Sequence, residues 1–415
     1  MRLAVIAVAL IAATGREALA DPRARGRRDV GPRRSPGERR EGAPKPTPPT
    51  FEVGDPGCGY SMFVEETGQF AAEICSPDET RGDAALLALT DAHREASGDD
   101  PEFVTVLTAG IIGCDIIFYL PLANDVTGIG SRHQDPRDVY DDTPDSRLEG
   151  VLFLNDVPYW QEHPDEIGPM FNQEFGHRWG ALVHADLGEG ETAEILGRDG
   201  VHWSYFLHTE ASPLEGNRWI DNGDGTFTTA TEPDDATYSP LDLYLMGLLP
   251  PEEVPPTFLL RPAGEPCAMR DCFDGCLTAA SPPQFCENII VEAERVDVTI
   301  DDVIAVEGAR SPAHTEAPRS FSMVFLVVAG SEDLADPPPR AQLDGLVDDM
   351  AGGFADGTGG LATLEVMSGR CVGDGCGCRL GAAASRDGGA AAHALILCAT
   401  PLLCLLLRQR RRAAA

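Results

Sequence analysis

Two apolar runs, one at each end of the 415-residue chain, decide which part of it is left to fold in water. The first run, residues 3–13, follows an arginine and precedes Ala-Leu-Ala at 18–20, the pattern of an export signal with its cleavage site. The second, residues 388–407, has the ~20 apolar residues that a membrane span needs, and an Arg cluster follows it. We therefore expect a signal peptide at 1–20 and a transmembrane span with its Arg cluster at 388–412.

The composition changes twice between these runs. Residues 21–50 are rich in Arg and Pro, which predicts an extended, disordered linker. Residues 51–370 are long enough to bury a core and form the expected ectodomain, whereas residues 371–387 carry a Cys/Gly motif and a spacer of small residues. The net charge of −35 repels phosphate backbones, so nucleic acid is excluded as a partner.

Hydrophobic periodicity within 51–370 predicts an α+β fold. Helices are expected at 84–96, 168–183 and 341–354. Strands are expected at 102–108, 114–120, 150–155, 226–229 and 320–328, the fourth of them after an Asn-Gly-Asp-Gly turn at 222–225.

The cysteines agree with export to an oxidising compartment. Eight of the twelve precede the Gly-Cys pairs at 375–378: Cys58, Cys75, Cys114, Cys267, Cys272, Cys276, Cys286 and Cys371. An even number predicts disulfides, whose pairing the spacing leaves open. The four cysteines within 267–286 could bind zinc, but they contain no Cys-x-x-Cys pair, which favours a disulfide-stapled loop.

The chemistry concentrates in the helix predicted at 168–183, which contains Gln173-Glu174-x-x-His177. In the zinc-hydrolase pattern His-Glu-x-x-His, two imidazoles on one helical face bind the metal and the Glu is the general base. Here Gln173 stands at the first ligand position. Its amide oxygen is a weaker ligand, so the site could hold zinc less tightly, hold another ion, or be empty. Gln173 and His177 could also be ordinary polar residues of a helix.

Five segments carry a resemblance to a group of exported, metzincin-like bacterial proteins with a His-Glu-x-Gly-His-Arg-Trp helix. They are YLPLANDVTGIG (119–130), GVLFLND (150–156), QEFGHRWG (173–180), DGVHWSYFL (199–207) and YSPLDLYLMGLLP (238–250). The resemblance covers most of 100–370. It implies a metzincin-like zincin domain with a mixed sheet and an active-site helix.

The resemblance also implies roles for single residues. Glu174 matches the general base and His177 the second metal ligand, while Gly180 stands where a metzincin chain turns after the helix. The third ligand is then His184, if the chain folds back at Gly180, or His202 after an inserted loop, which we favour slightly. A helix running straight on would carry His184 ~10.5 Å beyond His177, too far to share an ion.

A second feature of the resemblance lies downstream of the helix. Met246-Gly247 matches the metzincin Met-turn beneath the metal. The alternative is a short amphipathic helix that ends at Gly247 and buries Met246 as an ordinary core residue.

The C-terminus resembles the MYXO-CTERM sorting signal of myxobacteria, in which a Gly-Cys motif, an apolar span and an Arg cluster follow one another. The resemblance implies removal of the tail after export and retention at the cell surface. Cys376 and Cys378 are the candidates for the processed, lipid-bearing cysteine. We therefore expect an exported protein anchored through its C-terminus at the outer membrane of a Gram-negative bacterium.

Together these resemblances imply a surface-anchored, zinc-dependent metalloendopeptidase, in which a metal-activated water hydrolyses a peptide or protein substrate. Gln173 leaves two alternatives open. One is a catalytically degenerate metzincin-like protein that binds a protein or glycan ligand in the former cleft. The other is a structural surface protein without an active cleft. Zn²⁺ is the expected cofactor, weakened by Gln173, and the oligomeric state stays open.

Overall fold

The described part of the chain covers most of the expected ectodomain. The structure, a computed structural model, describes residues 49–54, 59–114, 116–130, 146–230, 237–270, 273–283, 288–330, 333 and 337–367. They all belong to the first of two units, residues 1–373. The predicted signal peptide, sorting motif, spacer and span lie outside these residues, as does all but the end of the predicted linker. No helix among the described residues is long and apolar enough to cross a membrane.

The described residues form an α+β fold, as the periodicity predicts. The helices are α1 (Gln69–Ile74), α2 (Glu79–Ser97), α3 (Val157–Glu162), α4 (Ile167–Gly176), α5 (Pro240–Met246), α6 (Ile300–Glu307) and α7 (Arg340–Gly357). The strands are β1 (Glu52–Val53), β2 (Ser61–Val64), β3 (Phe103–Thr108), β4 (Phe118–Pro121), β5 (Gly150–Asp156), β6 (Ala185–Asp186), β7 (Glu191–Thr192), β8 (Trp203–His208), β9 (Glu215–Asn217), β10 (Trp219–Asp221), β11 (Thr226–Thr229), β12 (Thr257–Pro262), β13 (Cys267–Arg270), β14 (Phe273–Cys276), β15 (Ile290–Val298), β16 (Ser320–Ala329) and β17 (Thr363–Val366).

The larger sheet is mixed and has the order β1-β2-β16-β3-β5-β4, with β17 also paired to β16. Its centre, β2-β16-β3-β5, is parallel, and β1 and β4 add antiparallel edges. Side chains alternate along β3: Phe103 and Leu107 join one core, whereas Val104 and Val106 join the other. Both faces of this sheet are therefore covered, which explains why its central strands are almost continuously apolar.

The second sheet has the order β10-β11-β15-β12-β8-β9. It is antiparallel except at its edge, where β9 runs parallel to β8 and pairs Glu215 with Trp203. Its buried residues belong to the same core as helix α4 and one face of the larger sheet. This sheet therefore brings residues 203–217 to the polar side of α4.

Two disulfides are present among the described residues, as the even number of cysteines predicts. Cys75 is bonded to Cys114, and Cys267 to Cys276. The second closes the β13–β14 hairpin and agrees with the stapled loop. The strand predicted at 114–120 begins only at Phe118. The carbonyl of the disulfide-bonded Cys114 accepts from the Asn155 side chain (2.8 Å) instead of a neighbouring strand.

Candidate metal centre

Helix α4 carries the Gln-Glu-x-x-His pattern and is anchored by its opposite face. Phe171 and Phe175 are one turn apart and pack on the larger sheet, where the Phe175 ring lies 4.9 Å from that of Phe103. Asn172 Nδ2 donates to the carbonyl of Gly353 in α7 (2.8 Å). These contacts bury the helix on two sides, while Gln173 contacts Glu215 and His177 contacts His202 on a third side.

The helix ends at Gly176, so the prediction that it continues to 183 is wrong. Leu214 packs closely against the end of the helix and the turn that follows it. A Cβ on Gly180 would overlap Leu214 Cδ1, and one on Gly176 would lie 3.0 Å from Leu214 Cδ2. The chain turns after His177 and reaches Ala181 with a φ of 57°. His177 therefore caps the helix, and Gly180 serves to admit the Leu214 side chain.

Of the two candidate third ligands, the structure brings His202 to His177. The two imidazole rings lie 4.8 Å apart between centroids and are perpendicular, at 89°. His184 is engaged elsewhere, since its Nδ1 lies 2.7 Å from Glu191 Oε1 and its backbone N–H donates to Glu307 Oε1 (2.7 Å). The pair that geometry assembles is therefore His177 and His202.

Both ring nitrogens of His202 face neighbouring groups. Its Nδ1 lies 3.1 Å from the carbonyl oxygen of Arg198, which can only accept, so Nδ1 donates to it. Its Nε2 lies 3.4 Å from Arg198 Nη2 and 3.7 Å from Glu215 Oε1. A backbone carbonyl on the far nitrogen is the usual way in which proteins orient a metal-binding histidine.

Glu215 and Arg198 join this cluster, and the sequence interpretation did not include them. Arg198 Nη2 donates to Glu215 Oε1, which lies 3.7 Å from His202 Nε2. Gln173 donates its amide Nε2 to the same oxygen (3.3 Å). Glu215 is 3% exposed, so the carboxylate is buried among cationic and neutral donors. The one local signal for Glu215 is an acidic residue between Pro213-Leu214 and Gly216, in a stretch without helical or strand periodicity.

The turn that carries Glu215 is held by a buried carboxylate. Asp242 is fully buried and accepts from Trp203 Nε1 (2.7 Å) and Ser212 Oγ (2.7 Å), as well as from the backbone N–H (2.7 Å) and hydroxyl (2.6 Å) of Ser239. Burial raises the pKa of Asp242, and these hydrogen bonds partly oppose the rise. Because Trp203 follows His202 and Ser212 begins the turn to Glu215, one carboxylate aligns both segments.

Met246 lies in the core at the end of α5. The helix ends at Gly247, whose φ of 80° suits glycine. Met246 is 2% exposed, and its carbonyl accepts from Arg310 Nη2 (3.2 Å). The geometry is that of the short amphipathic helix, and a Met-turn role stays a prediction.

The remainder of the motif, Arg178-Trp179, is structural. Arg178 is 3% exposed and donates to Glu149 Oε2 from Nε (3.1 Å) and Nη2 (2.5 Å). Burial raises the pKa of Glu149, while Arg178 lowers it. This ion pair connects the chain after α4 to the start of β5, which fixes the position of His177.

Among the described residues, one group of three ligand-type atoms lies within 4.8 Å of one another. It is in the β13–β14 hairpin and consists of Glu265, Cys267 and Cys276. Both sulfurs are in the disulfide, so neither is the thiolate that a metal needs.

Cys376 and Cys378 lie outside the described residues. The chain has no significant match to a protein-family model, a curated protein or a solved structure.

Proposed function

We propose that the protein is a metal-dependent hydrolase of the metzincin-like type that cleaves peptide bonds. The observation that carries the proposal is the pairing of His177 with His202, whose Nδ1 donates to a backbone carbonyl and whose Nε2 faces Arg198 and Glu215. Glu174, 1% exposed, precedes His177 by one turn on the same helix. These residues supply two imidazole ligands and a carboxylate in the sequence order of a zinc hydrolase.

The donor set fits a divalent metal on its chemistry. Neutral imidazole nitrogens bind zinc, and buried carboxylates beside them compensate its charge. When bound, such an ion supplies Lewis acidity for the scissile carbonyl and lowers the pKa of a water. Glu174 would take the proton from the attacking water and return it to the leaving amine. His177 and His202 would hold the ion, and Arg178 would keep His177 in place through Glu149.

Elemental metal content of the purified full-length protein tests this proposal. We expect about one zinc per wild-type chain and none in His177→Ala, because loss of one imidazole removes a ligand of the ion. His184→Ala is the matched control and should keep its zinc, since His184 pairs with Glu191. Absence of zinc from the wild type after zinc is added, or equal retention in both variants, would exclude a metal bound by His177.

A degenerate protein that binds a protein or glycan ligand is the second candidate. It is favoured by Arg198, whose guanidinium already contacts both His202 and Glu215. A positive charge at that place opposes a metal ion. This candidate predicts a metal-free wild type whose melting temperature does not change when zinc is added.

A further inference from the structure

We propose that Glu265, Cys267 and Cys276 form a redox-gated binding site for a thiophilic metal cation, separate from the candidate centre on helix α4. In the structure the two cysteines are joined in a disulfide, and neither sulfur is a thiolate. Reduction of this bond gives two thiols, which bind a cation such as Zn²⁺ or Cu⁺ together with the Glu265 carboxylate. The site therefore takes a metal only in the reduced protein.

The pairing of the two strands explains why the three side chains lie together. Cys267 and Cys276 are directly opposite each other in β13 and β14, with Cα atoms 3.9 Å apart. The neighbouring residues Pro266 and Leu277 are joined by a backbone hydrogen bond (2.8 Å). The two cysteines therefore occupy the pair without hydrogen bonds of its own, where opposite side chains are closest. Glu265 lies two residues before Cys267, and this spacing puts both side chains on one face of an extended chain.

The spacing of the ligand atoms suits a metal ion. The two sulfurs and a carboxylate oxygen of Glu265 lie within 4.8 Å of one another. A tetrahedral zinc ion with Zn–S bonds of ~2.3 Å holds two sulfurs about 3.8 Å apart. The sulfurs are closer than this in the disulfide, so a small separation of the two side chains after reduction makes room for the ion. Two thiolates and a carboxylate then supply three ligands, and water can supply the fourth.

Exposure distinguishes this disulfide from the other one among the described residues. Cys267 and Cys276 are exposed, whereas Cys75 and Cys114 are partly buried. Cys114 packs against one of the two hydrophobic cores, and Cys75 Sγ lies 3.5 Å from the carbonyl oxygen of Ile112. A disulfide is reduced by a thiolate that reaches one of its sulfurs, so exposed disulfides are the labile ones. The hairpin disulfide is therefore the more accessible of the two to a reductant.

The hairpin has other contacts that hold it when the bond is open. The disulfide joins residues with a sequence separation of 9, against 39 for Cys75–Cys114, and a shorter loop contributes less to stability in the chain-entropy account. The pairing of β13 with β14 does not depend on the sulfurs. Leu277, next to Cys276, is 3% exposed and belongs to the larger core. The reduced strands therefore stay paired, and the two thiols stay close to each other.

Two chemical steps connect the oxidised hairpin to the metal site. A dithiol reductant, either a small molecule or a partner protein, gives two electrons and two protons to the Cys267–Cys276 bond and becomes a disulfide itself. Binding of Zn²⁺ then releases the two thiol protons, because the thiolate is the form that binds metal. The carboxylate of Glu265 adds a third negative charge, and the net charge of −35 favours cations at the surface of the chain.

The test compares zinc binding by the full-length protein before and after treatment with limiting dithiothreitol, which is then removed by gel filtration under nitrogen. Alkylation and peptide mass spectrometry identify the cysteines that are reduced, and competition with a chromophoric chelator measures the zinc dissociation constant. Cys267–Cys276 should be reduced at least about 10-fold faster than Cys75–Cys114, because its sulfurs are more accessible. The reduced protein should bind about one zinc ion more than the oxidised protein.

Variants of the three residues assign the additional zinc ion. The double variant Cys267→Ser, Cys276→Ser should lose it. Glu265→Gln should weaken its binding at least about 10-fold, since even the loss of a partner of a ligand weakens binding by about 10- to 100-fold. Glu292→Gln is the matched control, because Glu292 is an exposed carboxylate on β15 that lies outside this group. It should stay within about twofold of the wild type.

Should the double variant fail to fold, alkylation of Cys267 and Cys276 in the reduced wild type blocks the same sulfurs. The proposal is overturned if the alkylated protein keeps the additional zinc, if reduction adds no zinc, or if the hairpin disulfide is reduced no faster than Cys75–Cys114. Unchanged affinity in Glu265→Gln overturns the carboxylate as a ligand. Zinc at His177 is counted in the oxidised protein, so failure of this proposal and failure of the proposed function give different results.

Discussion

Replacing Glu174 by glutamine is expected to lower kcat/KM for peptide hydrolysis by about 10²- to 10⁴-fold, the usual contribution of a general base. The amide keeps the size of the carboxylate but cannot accept a proton at neutral pH. The variant should keep its zinc, since Glu174 is not proposed as a ligand. Cleavage of a fluorescence-quenched peptide mixture and elemental analysis of the same preparation measure the two properties together.

The control for this substitution is Glu191→Gln. Glu191 also lies beside a histidine, His184, but its side chain is 61% exposed. Its removal should change kcat/KM by less than about twofold, as is usual for a surface group away from the chemistry. If Glu174→Gln cleaves peptides as fast as the wild type, Glu174 is not the base and the hydrolase proposal fails. If the wild type cleaves nothing and a ligand binds both proteins equally, the degenerate binding protein is correct.

Replacing Asp242 by alanine is expected to lower the free energy of unfolding by about 3–5 kcal/mol. Four donors, from Trp203, Ser212 and Ser239, lose their acceptor inside the core. Each buried group left without a partner costs about 1–3 kcal/mol, partly offset by relaxation and by water. Urea unfolding followed by tryptophan fluorescence measures the loss.

Asp302→Ala is the matched control for Asp242→Ala. Both aspartates close a capping box at a helix N-terminus, Asp242 with Ser239 and Asp302 with Thr299. Asp302 is only partly buried and, among the described residues, accepts hydrogen bonds from Thr299 alone. Its loss should cost about 1 kcal/mol, the usual value for a helix cap. Equal losses in the two variants would show that the donors from Trp203 and Ser212 add nothing to capping.

The larger sheet was predictable because its strands are buried on both faces. The expected strands 102–108, 150–155 and 320–328 are confirmed within one residue at each end, as is the final helix within three. Apolar runs of this length leave few alternative assignments of secondary structure. Most of the second sheet was not predicted, because its strands alternate less clearly. In β15, for example, the exposed charged residues outnumber the buried apolar ones.

The residues of the candidate site were also predictable only in part. His177 and Glu174 follow from helical spacing, which is local, and His202 was one of two open candidates. Glu215 and Arg198 could not be predicted, because their approach depends on the parallel pairing of β9 with β8 and on the contact of Leu214 with α4. Non-local pairing of this kind has no periodic signal in the sequence.

The contact of Leu214 with Gly176 and Gly180 has a consequence for how such a centre can change over evolutionary time. Leu214 is apolar and 1% exposed, and its packing against the two glycines also positions Glu215, the residue next to it. Shape complementarity between a leucine and two glycines thus holds the backbone around the centre in place. This packing does not depend on which polar side chains the centre carries. The side chain at position 173 can then vary without loss of this backbone arrangement, so the polar groups of the centre can change separately from the architecture.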